Sequence, residues 1–282
     1  MLTARVPDAL DDEIAAVLGS GSLGVEVAAS GPGMSVLRVY LGSIDEAKGW
    51  RERAESVLLA HGLTAPGAEL AIAPVTDERW VERWQASLAP IPLGKRFLVV
   101  PTESGADVPG RETIRLIPGM AFGTGEHEST RLAAAAIERL VRPGSRWLDL
   151  GTGTGLLAIV AARCGAASVL AVDIDPEAVK VATEVVRANH AGEVVEVRAG
   201  SIAGVSIAPF DGIVANIQTS FFLAESEGVA AALVAGGVLV ATGILDDDVP
   251  EVAPKFSAAG LQIEAKSIDG FWACLLARRG GA

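Results

Sequence analysis

The chain has 282 residues, half of them hydrophobic and 21% charged; this is enough apolar material for a packed core and argues against general disorder. Its length suits one large domain or a small domain joined to a larger one. A formal net charge of −12 argues against a surface built to neutralise phosphates, so direct nucleic-acid binding is not expected; the acidity serves solubility or steers a basic partner.

Cys164 and Cys274 lie far apart, so neither a disulfide framework nor a Cys-x-x-Cys metal site is expected, and a reducing, cytoplasmic setting fits. The first residues carry Asp8, Asp11, Asp12 and Glu13 without a basic segment leading into an apolar run, and no later stretch is apolar for spanning length. Neither an export signal nor a membrane span is expected.

Residues 1–75 read as a small α+β module. Val25 to Val27 and Val36 to Leu41 are short strands on either side of the turn-rich Ser30-Gly31-Pro32-Gly33, the pattern of a hairpin. Asp8 to Leu18 and Ile44 to His61 have helical spacing, and Leu70 to Ala73 can add a strand. Residues 76–87 predict a linker helix, with Asp77 as its cap and Trp80 and Trp84 four apart on one face.

Residues 88–282 predict a larger α/β domain. Apolar runs at Phe97 to Pro101, Thr113 to Ile117, Trp147 to Leu150, Val169 to Val172, Val194 to Val197, Gly212 to Ala215 and Val238 to Ala241 have the character of buried strands. Helical stretches fall between most of them, at Ser129 to Leu140, Gly155 to Cys164, Glu177 to His190 and Phe222 to Val234. That alternation predicts a doubly wound, Rossmann-like sheet with crossover helices.

Chemistry concentrates in three places. The strand Trp147 to Leu150 runs into Gly151, Gly153 and Gly155 ahead of a helix, the layout of a nucleotide-type site in which glycine permits positive φ and close backbone approach. One strand later, Asp173 stands at a carboxyl end, where a carboxylate can hold ribose hydroxyls. The spacing is Gly-x-Gly-x-Gly rather than Gly-x-Gly-x-x-Gly, and Asp149 would repel a pyrophosphate while tolerating a sulfonium. S-adenosylmethionine is therefore favoured over NAD.

The second place is Pro118 to Thr130, which combines glycines with Phe122, Gly123, Thr124 and His127 before a helix. Ser129 or Thr130 can cap that helix, Phe122 can cover an apolar part of a cofactor, and His127 is either structural or catalytic. The third is the strand Asp211 to Ile217, which brings Asn216 to the ligand edge as a site residue or as a loop cap.

Together these segments resemble the PrmA family, methyltransferases of ribosomal large-subunit protein eleven. The resemblance rests on Pro118 to Gly125 with His127 and Thr130, on Asp149 to Gly155, on Val172 to Pro176, on Ala215 to Ile217 and on Thr242 to Leu245. It implies a class I S-adenosylmethionine-dependent fold in which Thr130, Gly151, Asp173 and Asn216 contact the cofactor, and Phe122, Gly123, Thr124 and His127 lie in a loop beside it. Asp149 and Gly153 belong to the same pocket wall. The resemblance also implies that residues 1–75 dock a protein substrate whose lysine and N-terminal amines are methylated. Rival expectations are an N-methyltransferase of another protein or a small amine, an NAD-dependent oxidoreductase, and a non-catalytic S-adenosylmethionine-binding protein.

Overall fold

The computed structural model describes residues 2–7, 24–29, 33–40, 50–52, 55–56, 59, 70–72, 90–101, 109–116, 127–204 and 209–281. The chain divides into two compact units, Met1–Ser87 with Pro118–Phe122, and Leu88–Ile117 with Gly123–Ala282.

In the first unit, β1 (Leu2–Pro7), β2 (Gly24–Ala29), β3 (Met34–Tyr40) and β4 (Leu70–Ile72) form an antiparallel sheet in the order β2-β3-β1-β4. The expected β2–β3 hairpin is present, with Gly33 at φ +73 beside its turn. β1 was not expected, although its alternation is clear: Leu2, Ala4 and Val6 are fully buried between half-exposed neighbours, the period of a one-sided strand. The helix expected over 8–18 and the linker helix over 76–87 lie outside the described residues, as do most of residues 44–61.

In the second unit, β5 (Ile91–Leu93), β6 (Phe97–Pro101) and β7 (Glu112–Leu116) make a separate three-stranded sheet. The alternation of apolar runs predicts the last two as strands of the large sheet. β6 and β7 do pair in parallel, but among the described residues β7 meets no further strand. The Asn189 side chain takes the place of a neighbour, accepting from the Arg115 amide at 2.8 Å and donating to the Arg115 carbonyl at 2.7 Å. The Glu138 carboxylate fastens the turn before β6, accepting from the Lys95 and Arg96 amides at 2.9 to 3.0 Å.

The large sheet has seven strands in the order β10-β9-β8-β11-β12-β14-β13. β8 (Arg146–Leu150), β9 (Ser168–Asp173), β10 (Val195–Ala199), β11 (Phe210–Asn216) and β12 (Leu233–Leu245) are mutually parallel. β14 (Trp272–Arg279) is antiparallel to β12, and β13 (Leu261–Asp269) to β14. Helices α1 (Glu128–Leu140), α2 (Leu156–Arg163), α3 (Pro176–Ala188), α4 (Thr219–Ala232) and α5 (Val249–Ala258) accompany the strands. The sheet is thus doubly wound, as expected, with an antiparallel edge that was not.

The central strands are buried on both faces, which is why they read as continuous apolar runs. Leu148, Ile213, Leu239 and Leu275 are fully buried on one side with Phe222 and Phe256 of α4 and α5. Trp147 is buried over Gly212, where a Cβ would fall 2.5 Å from the indole ring; only glycine leaves room for that ring. α3 starts at Pro176, and the Asp175 side chain accepts from the Glu177 amide at 2.9 Å, satisfying one of the unpaired amides of the first turn. The chain leaves β8 for β9 and β10 on one side and returns to β11 and β12 on the other, so the carboxyl ends of β8 and β11 flank a topological switch point, where doubly wound sheets bind ligands.

Candidate functional site

Two groups of residues meet the carboxyl edge of the large sheet. The first is the turn between β8 and α2. Gly151, Gly153 and Gly155 have φ of +68, +54 and +81, a region that costs a side chain roughly 1 kcal/mol or more. The turn is tied to the end of β9: the Gly151 and Thr152 amides donate to the Val172 carbonyl at 2.9 and 3.0 Å, and the Gly153 amide donates to Asp173 Oδ2 at 2.9 Å. Asp173 Oδ1 accepts from the Asp175 amide at 3.0 Å. The carboxylate is therefore held from both sides and remains only partly buried.

Asp149 lies beneath the same turn and is 1% exposed. Its Oδ2 accepts from the Thr152 hydroxyl at 2.7 Å and from the Ala158 amide at 2.9 Å, joining the entrance of the turn to the first turn of α2. Burial lifts this carboxyl to about 7 and the nearby Asp173 charge adds to the rise, while its two donors act in the opposite sense. Two carboxylates at one glycine turn suit a ligand with positive charge and disfavour a pyrophosphate, so these residues fit S-adenosylmethionine better than a dinucleotide.

The second group is a corner assembled around the start of α1. Sequence reading gave the capping role to Ser129 or Thr130. The cap is His127 instead, whose Nδ1 accepts from the Ser129 amide at 3.3 Å and lies 2.7 Å from Ser129 Oγ. His127 has the extended backbone of a cap residue, which aims its ring back at the first amides, whereas Ser129 and Thr130 are already helical and buried. With an amide donating to Nδ1, the neutral ring carries its proton on Nε2. The ring packs edge-on against Trp272, with centroids 4.6 Å apart.

Thr130, one turn into α1, accepts at Oγ1 from Asn216 Nδ2 at 3.2 Å, which ties the helix to the end of β11. The buried Thr242 hydroxyl lies 3.1 Å from the Ala273 carbonyl and 3.4 Å from the Ser129 carbonyl, joining β12, β14 and α1. Gly243 follows at φ +78, where a Cβ would stand 2.6 Å from the Ile217 carbonyl oxygen. Backbone rather than a flexible side chain blocks that position.

Of the residues singled out from sequence, Asp149, Gly151, Gly153 and Asp173 meet at the turn, and His127, Thr130 and Asn216 meet at the corner. Phe122, Gly123 and Thr124 lie outside the described residues. Trp272 joins the corner without any mark in the motifs singled out from sequence. The available signal is Gly270-Phe271 between two strand-compatible runs, a pair with glycine first that suits a two-residue hairpin turn. Among the described residues, no group of acids, histidines and cysteines could hold a metal ion, and no helix is long and apolar enough to cross a membrane.

Comparison with known proteins gives the fold and site a family. Residues 33–280 match the family model described as ribosomal protein L11 methyltransferase (PrmA). Curated relatives carrying that name include proteins of Geobacter sulfurreducens, 38% identical over 88% of this chain and 83% of the relative, and Chloroflexus aurantiacus, 35% identical over 86% and 82%. A crystal structure of ribosomal protein L11 methylase from Lactobacillus delbrueckii subsp. bulgaricus is 32% identical, with a TM-score of 0.63, and covers 69% of this chain and 100% of its own. With its doubly wound sheet and glycine turn, the chain belongs to the PrmA family of S-adenosylmethionine-dependent methyltransferases.

Proposed function

We propose that this chain transfers the methyl group of S-adenosylmethionine to amines of ribosomal protein L11, lysine side-chain amines and the N-terminal amine among them, and does so in the cytoplasm. The observation that carries this reading is the meeting of a carboxylate-held glycine turn with the Thr130–Asn216 pair at the switch point of the sheet. The sulfonium of the bound cofactor supplies an electrophilic methyl.

Asp173, pre-oriented by the Gly153 and Asp175 amides, is placed to accept from ribose hydroxyls, and Gly151 and Gly153 let the backbone come close. Asp149 braces the turn and adds negative charge beneath it. Thr130 and Asn216 are assigned to the cofactor edge, and because Asn216 Nδ2 is engaged by Thr130, its carbonyl oxygen can accept there, including from an incoming amine. Such acceptors align the nitrogen for in-line attack, and alignment supplies most of what this reaction requires.

A lysine amine must first lose its proton, and moving its pKa from about 10.4 to about 8 corresponds to roughly 3 kcal/mol in favour of the neutral form. A dry site beside a positive sulfonium contributes to that shift. His127 spends its Nδ1 lone pair on the helix start, so its role here is to set the α1 terminus, and the proton passes to water. Phe122, Gly123 and Thr124 are assigned to the loop beside the cofactor, and residues 1–75 to docking the substrate.

Incubation of the purified chain with labelled S-adenosylmethionine and large-subunit ribosomal proteins, followed by mass spectrometry, tests reaction and target together. Label is expected on L11 amines. Label on another protein overturns the target, and absence of label on every protein overturns the activity.

A further inference from the structure

The corner of the site has an aromatic tip that the cofactor does not explain. β13 and β14 are joined by two residues, because Asp269 pairs with Trp272 and leaves Gly270 and Phe271 as the turn. Gly270 has φ +59, the choice of a tight hairpin with glycine in its first central position. Phe271 is 83% exposed, the most exposed large hydrophobic side chain among the described residues. A phenyl ring in that position gains nothing for folding.

The tip is fastened on two sides. The Asp246 amide, at the end of β12, donates to the Phe271 carbonyl at 2.8 Å. Arg131 of α1 holds Asp269 at 3.0 Å and Glu128 at 3.3 Å. Leu245, directly across from Trp272, is itself 41% exposed. The next residue along from Phe271 is Trp272, packed on His127, so the turn that carries the exposed ring adjoins the start of α1. Beside this tip stand Glu128, Asp246 and Asp269, with Arg131 and Lys266 as their basic partners, and Asp247 and Asp248 continue the short turn that Asp246 opens. Along this stretch acids outnumber bases.

We propose that Phe271, with Leu245 and the edge of Trp272, is a docking lip for the segment of the acceptor protein that carries the target lysine. Resting on the reading of the chain as a protein N-methyltransferase, the lip takes a basic segment with an apolar side chain near its lysine. The apolar side chain packs on Phe271, and the neighbouring cations face the acidic surround. An aromatic held rigidly at a rim gives contact area with little loss of side-chain freedom.

The test compares wild type with Phe271→Ala on whichever ribosomal protein the wild type labels. Truncation of a docking aromatic is expected to raise the acceptor KM about tenfold, with kcat, the S-adenosylmethionine Kd and the melting temperature nearly unchanged. Phe271→Leu should recover most of the loss. An unchanged KM overturns the lip. A weakened cofactor Kd assigns the ring to the cofactor side, and dissociation of a wild-type dimer in the variant assigns it to self-association; each also overturns the proposal. A raised KM on a labelled protein other than L11 retains the lip and overturns only the L11 target, whereas a wild type that labels no protein overturns both.

Discussion

The turn and the corner at the carboxyl edge are built by opposite means. Asp149 to Gly155 is one contiguous stretch, completed by a single carboxylate at the end of the next strand. The corner draws on the start of α1, the end of β11, Thr242 within β12 and the tip of the β13–β14 hairpin. A site wall made from neighbours in sequence can grip a fixed ligand through backbone amides. A wall made from four distant segments exists only once the sheet is complete, and its parts are free to be tuned for an acceptor. The division predicts that turn variants act on cofactor affinity and that variants of the hairpin tip act on acceptor binding without weakening the cofactor.

The sharpest test is Asp173→Ala. Hydrogen bonds to a charged group are worth about 1.5 to 3 kcal/mol, so loss of the carboxylate should weaken S-adenosylmethionine roughly a hundredfold by calorimetry, with the fold intact. Unchanged affinity would sink the ribose assignment, and an equal loss in a corner variant such as Phe271→Ala would erase the division itself.

A smaller effect is expected from pH. Asp149 is lifted to about 7 by burial, above the value of an unfolded carboxyl. Its contribution to stability is therefore fully present below the unfolded pKa near 4 and is lost as pH rises through 7. A cationic cofactor reverses the preference by favouring the carboxylate, so affinity should fall as pH drops below 7. One pKa unit of such coupling is about tenfold. Calorimetry from pH 8 to 5.5 should show this decline in wild type and a flat profile in Asp149→Asn; parallel profiles would mean that another group titrates.

The same contrast governs what the sequence discloses. Glycines at positive φ leave a mark in the residue types themselves, and strands buried on both faces leave apolar runs, so β8, β9, β11 and the turn were readable. β13 is largely exposed, and Gln262, Glu264 and Lys266 dilute its strand character. α5 carries Pro254 in its interior, which argues locally against a helix. The Arg131–Asp269 pair spans 138 residues, and no local pattern links such partners. β6 and β7 are legible as strands, but their separate sheet is not, because the side chain that closes β7, Asn189, sits at the end of α3. His127 is legible as a chemical group, yet its service as a cap depends on backbone angles that residue type does not fix.

That cap supplies the mildest and most discriminating variant. Removing a helix cap costs about 1 kcal/mol, so His127→Ala should lower the melting temperature by a few degrees and, by loosening Thr130 and the Asn216 contact, reduce kcat severalfold. Asparagine is among the best capping residues, since its side-chain oxygen can accept from the first free amides. His127→Asn should therefore restore both stability and turnover if the ring serves to set the start of α1. A variant that regains its melting temperature but stays inactive would show instead that the imidazole takes the amine proton. The corner would then hold a catalytic base as well as a positioning device.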